Sequence, residues 1–332
     1  MICRNFARAS APAKVILFGE HFVVYGGPAI LGSIDKRIRV SARPIVSTKI
    51  KINSDIGYFA SYPSDRLIES RPHFTEAERI LYPLYAATHK ILKDHLIGTA
   101  KSVGVEIQLS TDIPLGAGLG SSAASCVATV AAVGSLFLRP DKNWVYSMAL
   151  RAEKIIHENS SGADCYVSSF GGLIYFVKNI MNKKIRPKKA LSLIVVNTGI
   201  KHSTKTLVSL VKNYRHENKS LYNDLANRAA RICEQAVLAI NVGDLIKLGQ
   251  LMNENHTLLN ELGVSNEIIN DVVGFCLDKG ASGAKITGAG GGGSIVVLIP
   301  DEYETSIISE ISKKYSHQCI STKIGSSGLL TY

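Results

Sequence analysis

The stretch Pro114-Leu115-Gly116-Ala117-Gly118-Leu119-Gly120-Ser121-Ser122-Ala123-Ala124 joins two segments of different character. Residues 103–109 before it alternate like a half-buried strand, and residues 123–138 after it form an apolar run. The order is therefore strand, glycine loop, helix. Glycine lets the backbone turn its N–H groups inward, and the helix start adds unpaired N–H groups and the positive end of a dipole. Together these features predict a loop that binds phosphate.

This loop differs from the common phosphate loop because it lacks a lysine. A Walker A motif places a lysine after its last glycine, whereas Ser121 follows Gly120 here. If the loop holds a nucleotide, another residue must supply the cationic charge. A tight turn capped by serine is the alternative interpretation of the same residues.

The N-terminal segment, residues 10–21, offers such a charge. Lys14 stands at the head of an apolar strand, Gly19 ends that strand, and Glu20 and His21 follow the turn. Polar groups that flank a buried strand are costly unless they are paired or used. A single residue of this kind is usually structural, but three of them around one strand favour a functional site.

Composition limits the classes of protein to which the chain can belong. Its 332 residues suffice for two domains, and 46% hydrophobic with 20% charged residues describe a soluble globular protein. No apolar run is long enough to span a bilayer, and the start of the chain lacks the apolar core of a secretory signal. The six cysteines show no CxxC spacing, which argues against a zinc site or a disulfide framework and favours the cytoplasm.

The net charge of +11 is compatible with nucleic acid or with a polyanionic small substrate as partner. The densest basic tract, residues 178–189, contains no aromatic side chains on which bases could stack. We interpret this tract as a solvated connection at a domain boundary, and we expect no nucleic-acid partner.

The second half of the chain predicts a strand at residues 191–196, then long helices, two strands around a glycine cluster, a helix and a last strand. This order is typical of an antiparallel α+β sandwich of ferredoxin-like type, enlarged by extra helices. The cluster at residues 288–293 matches GxGxxG, but a dinucleotide site requires a helix after it and a strand follows here. A glycine-rich hairpin that approaches a ligand or the first domain fits better.

Three motifs stand in the order found in the GHMP family of small-molecule kinases, named for galactokinase, homoserine kinase, mevalonate kinase and phosphomevalonate kinase. They are Ala11-Pro12-Ala13-Lys14, the loop at 114–124 and the glycine segment at 285–294, and the chain resembles the family over nearly its whole length. The resemblance implies an α+β, two-domain GHMP kinase fold. Residues 1–186 are expected to form a ribosomal protein S5 domain 2-like, ATP-binding N-terminal domain. Residues 187–332 are expected to form a ferredoxin-like C-terminal domain, with the active site between the two.

Residues 19–26, 203–208 and 253–265 are similar to members of the family that act on mevalonate. The resemblance thus implies ATP-dependent phosphorylation of the 5-hydroxyl of mevalonate to 5-phosphomevalonate, a step of isoprenoid biosynthesis. The implied partners are mevalonate, ATP and Mg²⁺, without nucleic acid or a membrane, and a homodimer is left open. The alternatives are another GHMP kinase, such as a phosphomevalonate or mevalonate 3-kinase, and a catalytically silent, nucleotide-dependent regulator.

The resemblance also implies roles for the reacting groups. Asp164 matches the catalytic aspartate, and Lys14 matches the lysine beside the transferred phosphoryl group. Ser122 and Glu153 match the magnesium ligands. The residues that match ATP-binding positions are Pro114, Leu115, Gly116, Ala117, Gly118, Leu119, Gly120, Ser121, Ser122 and Ala123.

The implied substrate pocket departs from the family pattern at one position. Glu20, His21 and Thr204 match positions that line this pocket. Where animal members have an arginine just before the Ser203-Thr204 pair, this chain has His202. An arginine holds a carboxylate bidentately and is always charged, which histidine is not at neutral pH. The residue that anchors the substrate carboxylate is therefore left open.

Overall fold

The computed structural model of the protein describes residues 4–68, 74–96, 103–114, 116–155, 160–200, 204–300, 304–315 and 318–332. Within these ranges the strands are β1 (Ala7–Phe18), β2 (Pro28–Val46), β3 (Lys49–Ser54), β4 (Phe59–Pro63), β5 (Val103–Thr111), β6 (Leu173–Val177), β7 (Met181–Ile185), β8 (Ser192–Asn197), β9 (Gly283–Thr287), β10 (Ser294–Leu298), β11 (Gln318–Lys323) and β12 (Leu330–Thr331). They form two sheets, one of eight strands and one of four.

The helices of the same ranges are α1 (Glu76–His95), α2 (Ser121–Gly134), α3 (Lys142–Glu153), α4 (Ala163–Phe170), α5 (Thr204–Glu217), α6 (Lys219–Val242), α7 (Leu245–Glu261), α8 (Glu267–Asp278) and α9 (Glu304–Tyr315), with a short 3₁₀ helix at Phe22–Tyr25. Helix α1 begins with a capping box between Thr75 and Glu78, which satisfies backbone N–H groups at its start. Across the described part of the chain, none of the helices has both the length and the apolar character needed to cross a bilayer.

The larger sheet runs β12-β1-β2-β5-β3-β4, with β6 paired to β2 and β7 paired to β6. Among the described pairs only β3 and β5 are parallel. Helix α2 packs on β1 and β2 and is flanked by α1, α3 and α4. Its sequence is rich in alanine and valine on every side, as expected of a helix at the centre of a core. The glycine loop that precedes α2 is therefore held rigidly at the edge of this core.

The smaller sheet has the order β11-β8-β10-β9, and its described pairs are all antiparallel. Strand, helices, two strands, helix and strand in this order give the ferredoxin-like topology that the sequence predicts. Helices α7 and α8 pack against β9. Every residue of β9 and β10 is buried, including the polar side chains of Lys285 and Thr287 in β9 and of Ser294 in β10. The α+β prediction is confirmed.

One local prediction was wrong, and one helix was not predicted. The basic tract is not a simple connection, because residues 181–185 form β7, which pairs with β6 through a turn with Asn179 at φ 60°. Lysines on an exposed edge strand discourage pairing with another chain, which explains the tract's composition. Asp164 lies in helix α4, which was not predicted because its eight residues are too few to show a clear helical period.

A further difference concerns the end of the chain. The two-residue strand β12 pairs with β1, so the C-terminus returns to the larger sheet. The predicted domain boundary after residue 186 falls between β7 of the larger sheet and β8 of the smaller one. The boundary itself stays a prediction, and β12 is the element that crosses it.

Candidate active site

Lys14 lies beside an irregularity in the pairing of β1 with β2. Between Pro12 and Lys14 the partner residue changes from Arg37 to Ser33, so β2 has two more residues than β1 over this step. Irregularities of this kind re-aim side chains near functional sites. The backbone N–H of Lys14 donates to the Leu119 carbonyl at 2.9 Å. A Cβ on Gly120 would lie only 2.9 Å from Lys14 Cγ and Cε, so the lysine fits because residue 120 is glycine. The predicted loop and the predicted cation thus lie together.

The glycine loop opens onto empty space. Gly116, Gly118 and Gly120 have φ values of 70°, 69° and 74°, a region in which glycine is favoured. Apart from the adjoining residues, no atom of the described part of the chain lies within 4 Å of the position that a Cβ would take on Gly116 or Gly118. Helix α2 begins at Ser121 without a side-chain cap on its N-terminus. Its first N–H groups are therefore suited to an anion.

The other residues predicted to bind ATP differ in exposure. Leu115 lies outside the described residues. Ser121 is exposed, Pro114 and Ser122 are half-buried, and the three buried positions are Ala117, Leu119 and Ala123. The buried side chains anchor the loop in the core, so its main chain is the part that can face a ligand.

Asp164, in helix α4, forms an ion pair with Lys14 of β1. The Lys14 Nζ lies 3.2 Å from Asp164 Oδ2, with the lysine side chain 4% exposed and the aspartate side chain 31% exposed. Helix α4 begins directly after Gly162, which has a left-handed backbone conformation with φ at 84°. Asp164 sits in the first helical turn, where the helix dipole favours a negative charge. The carboxylate therefore has one side on the lysine and another open to solvent.

Glu153, the last residue of α3, is a buried carboxylate next to this pair. Its Oε2 accepts hydrogen bonds from Ser160 Oγ at 2.9 Å and from Cys165 Sγ at 3.2 Å. Burial, and then the charge of Asp164, raise the pKa of Glu153 to about 7. The two hydrogen-bond donors were missed from sequence: Ser160 lies in the segment between α3 and α4, and Cys165 lies in the first turn of α4.

The donors near Glu153 fit a magnesium ion. Within the described ranges, no group of three or more His, Cys, Asp or Glu side chains is arranged to hold a metal. Ser122 lies four residues before Cys126 and thus on the same face of α2. Burial raises the pKa of the Cys126 thiol, and the nearby Glu153 carboxylate adds to this effect. A hydroxyl and a carboxylate are hard oxygen donors, which Mg²⁺ prefers, and a cation would offset the repulsion between Glu153 and Asp164.

Glu20 occupies a different environment from the one predicted. Its side chain is fully buried and forms an ion pair with Lys285 of β9, which is also fully buried. Asn255 Nδ2 of α7 donates to Glu20 Oε2 at 3.3 Å. Burial lowers the pKa of Lys285, against the opposing effect of the Glu20 charge. Both partners were missed from sequence, and Glu20 is not open to a ligand in this structure.

His21 follows Glu20 in a strained backbone conformation, with φ at 62°. Its Nε2 lies 2.9 Å from the carbonyl oxygen of Ala289. Since a carbonyl can only accept, Nε2 carries the proton and donates. Burial lowers the pKa of His21, which favours the neutral ring. The ring is thus fixed against the second glycine cluster.

We call residues 288–293 the glycine hairpin, since they join β9 to β10. A Cβ on Gly288 would lie 3.4 Å from the Gly118 carbonyl oxygen of the glycine loop. A Cβ on Gly291 would lie 2.8 Å from Leu207 Cδ1 in α5. Thr204, one turn before Leu207, is exposed at the start of α5. The hairpin therefore joins the loop, His21 and the start of α5 around one site; His202 and Ser203 lie outside the described residues.

The chain resembles known proteins over nearly its whole length. The model described as GHMP kinases N terminal domain matches residues 83–172, and that described as GHMP kinases C terminal matches residues 235–317. The chain is 38% identical to the mevalonate kinase of Thermococcus sibiricus over 97% of each chain. It superposes on the crystal structure of L. major mevalonate kinase in complex with R-mevalonate with a TM-score of 0.82, at 27% identity over 99% of both chains. The Methanococcus jannaschii mevalonate kinase gives a TM-score of 0.82 at 26% identity, over 96% of this chain and 98% of that one.

Proposed function

The chain belongs to the GHMP kinase family, and we propose that it transfers a phosphoryl group from ATP to the 5-hydroxyl of mevalonate. The product is 5-phosphomevalonate, an intermediate of isoprenoid biosynthesis by the mevalonate pathway. The observation that carries the proposal is the Lys14–Asp164 pair beside an open glycine loop. The similarity to a mevalonate kinase whose structure holds R-mevalonate supports the choice of substrate.

The glycine loop and α2 are the proposed phosphate site. Phosphoryl transfer depends mainly on positioning and on stabilising charge. Backbone N–H groups of residues 116–122 supply donors, and the uncapped start of α2 supplies the positive end of a dipole. Lys14 supplies the cation that a Walker A motif would carry within the loop. Its contact with Gly120 keeps this charge at the loop rather than in solvent.

Asp164 is the proposed proton acceptor. As the substrate hydroxyl oxygen bonds to the γ-phosphorus of ATP, the bond from that phosphorus to the β,γ-bridging oxygen breaks and ADP leaves. The hydroxyl proton passes to Asp164 Oδ. Lys14 holds the carboxylate toward the loop and stabilises negative charge on the transferred group.

We propose that Ser122 and Glu153 hold the magnesium ion that accompanies ATP. When bound, this ion neutralises charge on the phosphate oxygens. Two protein donors would be few, as is usual for Mg²⁺, which commonly keeps several waters and binds substrate phosphates. Glu153 binds it as the carboxylate, so the hydrogen bonds from Ser160 and Cys165 help to orient that group.

The proposed mevalonate pocket lies between the turn at residues 19–21 and the start of α5. His21 and Thr204 flank it, and the glycine hairpin links the two sides. We also propose a cytoplasmic setting, which is supported by the absence of disulfides at the buried cysteines Cys126, Cys165, Cys233 and Cys276. The domains are proposed to run over residues 1–186 and 187–332, and a homodimer stays a prediction.

A coupled assay of ADP release tests the function. The purified full chain is incubated with Mg-ATP and, in parallel, with racemic mevalonate, phosphomevalonate or homoserine. We expect turnover with mevalonate alone, and phosphorus NMR of the product should place the phosphate on the 5-hydroxyl. Phosphate on the 3-hydroxyl, or turnover of phosphomevalonate, would assign a different GHMP activity. Salt-sensitive DNA binding without ADP release would instead support the silent regulator.

A further inference from the structure

The ion pair between Glu20 and Lys285 joins the two sheets of the molecule. Glu20 follows β1 of the larger sheet, Lys285 lies in β9 of the smaller one, and neither side chain is exposed. Removing two charges from water is expensive, so a buried ion pair is weak support for stability by itself. A role in fixing geometry explains the pair better than a role in holding the fold together.

The turn that carries Glu20 needs such fixing. Gly19 has φ at 88°, and a Cβ there would lie 2.2 Å from the Pro28 carbonyl oxygen. His21 is also in the left-handed region, with φ at 62°. Strained conformations persist only where the surroundings hold them. Two contacts from the smaller sheet and its hairpin do so: Glu20 with Lys285, and His21 with the Ala289 carbonyl.

Strand β9 holds β1 with two side chains from one of its faces. Lys285 and Thr287 are two residues apart and thus point the same way. The Thr287 hydroxyl accepts from the backbone N–H of Ile16 at 2.9 Å and donates to its carbonyl at 3.0 Å. Lys285 reaches further along the chain, to Glu20. Thr287 thus fixes the strand, whereas Lys285 fixes the turn.

We propose that Lys285 is a positioning residue for the phosphoryl acceptor: through Glu20 it sets the turn at residues 19–21 and so the place of His21 in the mevalonate pocket. This inference rests on the proposed function. Lys285 does not itself touch a ligand, since it is fully buried and its Nζ also donates to the Ile286 carbonyl. It makes none of the contacts that Lys14 makes with Leu119, Gly120 and Asp164.

This separation predicts which kinetic constant Lys285 controls. In the full chain, Lys285→Met keeps the length of the side chain and removes its charge. We expect the KM for mevalonate to rise roughly ten- to a hundredfold, because misplacement of about 1 Å has effects of that order. The KM for ATP should stay within about twofold, since the residues that hold phosphate are untouched. An equal rise in both constants would overturn the proposal.

A double-mutant cycle separates positioning from a direct role. Glu20→Gln and the double variant Glu20→Gln/Lys285→Met complete the cycle. The KM for mevalonate of the double variant should not exceed that of the poorer single variant, because both substitutions act through one contact. Multiplying effects on the KM for mevalonate would overturn the inference. If Lys285→Met fails to fold because Glu20 is left buried without a partner, Glu20→Gln and the double variant still give the comparison.

A control variant separates a positioning role of Lys285 from a purely structural one, and the parent enzyme tests the proposed function itself. Asn253→Ala removes a hydrogen bond from the backbone N–H of Ala284 to Asn253 Oδ1, which joins α7 to β9 without reaching the turn. It should lower thermal stability and leave the KM for mevalonate unchanged; a rise like that of Lys285→Met would reduce the lysine to a structural role. If the parent does not turn over mevalonate, the proposed function fails, and the same comparison is made with the alcohol that it does phosphorylate.

Discussion

The two glycine-rich segments of this molecule use glycine for opposite reasons. In the glycine loop, a Cβ on Gly116 or Gly118 would have no described residue within 4 Å other than its chain neighbours. In the glycine hairpin, a Cβ on Gly290 would lie 2.2 Å from the Val264 carbonyl oxygen, and one on Gly292 would lie 2.5 Å from that of Ile200. The loop keeps space free, whereas the hairpin fills space with its neighbours. Similar composition therefore marks a ligand site in one case and a packing junction in the other.

The two segments also lead into different elements. The loop leads into the uncapped N-terminus of α2 and lies beside Lys14 and Asp164. The hairpin leads into the fully buried strand β10 and contacts His21. We therefore expect variants beside the loop to change the chemical step and the binding of ATP. Variants around the hairpin should change stability and the binding of the acceptor.

The largest effect is expected at Asp164, which tests whether the chemistry belongs to the loop. Asp164→Asn keeps the size of the side chain and removes its basicity. The kcat should fall by roughly 10²-fold or more, the usual contribution of a general base, with the KM for ATP little changed. Asp94→Asn is a matched control, since this exposed carboxylate pairs with Lys90 within helix α1. Turnover of Asp164→Asn within a few-fold of the parent would mean that another group, or none, accepts the proton.

Glu153 offers the next largest effect. Glu153→Gln should raise the Mg²⁺ concentration needed for half-maximal rate by roughly ten- to a hundredfold, a range seen when groups around a metal are altered. A magnesium titration at saturating ATP measures this change. An unaltered titration would remove Glu153 from the metal site.

The same variant has a consequence for stability. The pKa of Glu153 is raised from 4.5 to about 7, so the folded state binds more protons than the unfolded state between these values. The free energy of unfolding therefore falls as pH rises through this window, and the loss is complete above pH 7. In magnesium-free buffer, Glu153→Gln should remove this pH-dependent fall in the free energy of unfolding, because glutamine does not ionise. Its Tm should exceed that of the parent at pH 8, and the difference should shrink toward pH 4.5.

Much of the loop side of the site can be predicted from sequence because its signals are local. The alternation of residues 103–109, the three glycines and the apolar run after Ser122 are contiguous, and each obeys a known period or turn preference. Lys14 was found because the loop lacked a cation. The helices of the second half were also predicted, since long amphipathic segments carry several turns of the same pattern.

The hairpin side could not be predicted to the same depth, because its contacts join residues far apart in the chain. Glu20 and Lys285 are 265 positions apart, and no local pattern pairs them. A lysine within an apolar strand was a visible signal, but it did not name a partner. Strand β7 and helix α4 were missed for other reasons. Strand β7 contains two lysines and lacks the apolar alternation of a typical strand, and α4 is too short to show a helical period.

A pair of alanine variants tests the comparison between the two segments. Gly118→Ala and Gly290→Ala both place alanine at positive φ, with values of 69° and 77°. Only at Gly290 does the new Cβ overlap a backbone oxygen. Gly290→Ala should thus lose about 1–3 kcal/mol more in the free energy of unfolding than Gly118→Ala, as overpacking does. Urea denaturation gives both values, and equal losses would contradict the distinction.

The KM for ATP should distinguish the same two variants in the opposite order, with the larger change in Gly118→Ala. Alanine at Gly118 projects into the space that the loop leaves open, so Gly118→Ala should raise the KM for ATP. Gly290→Ala should leave this constant near that of the parent wherever the protein stays folded. A higher KM for ATP in Gly290→Ala alone would show that the hairpin, not the loop, shapes the phosphate site.

The smallest effect is expected at Thr204, at the start of α5 beside the hairpin. Thr204→Val keeps the shape of the exposed side chain and removes its hydroxyl. Loss of one hydrogen bond to the acceptor corresponds to about 0.5–1.5 kcal/mol, hence a two- to tenfold rise in the KM for mevalonate. Thr257→Val is the control, because the Thr257 hydroxyl donates to the Asn253 carbonyl within its own helix, α7. A fall in kcat as deep as that of Asp164→Asn would place Thr204 with the chemistry, and the division of labour between loop and hairpin would not hold.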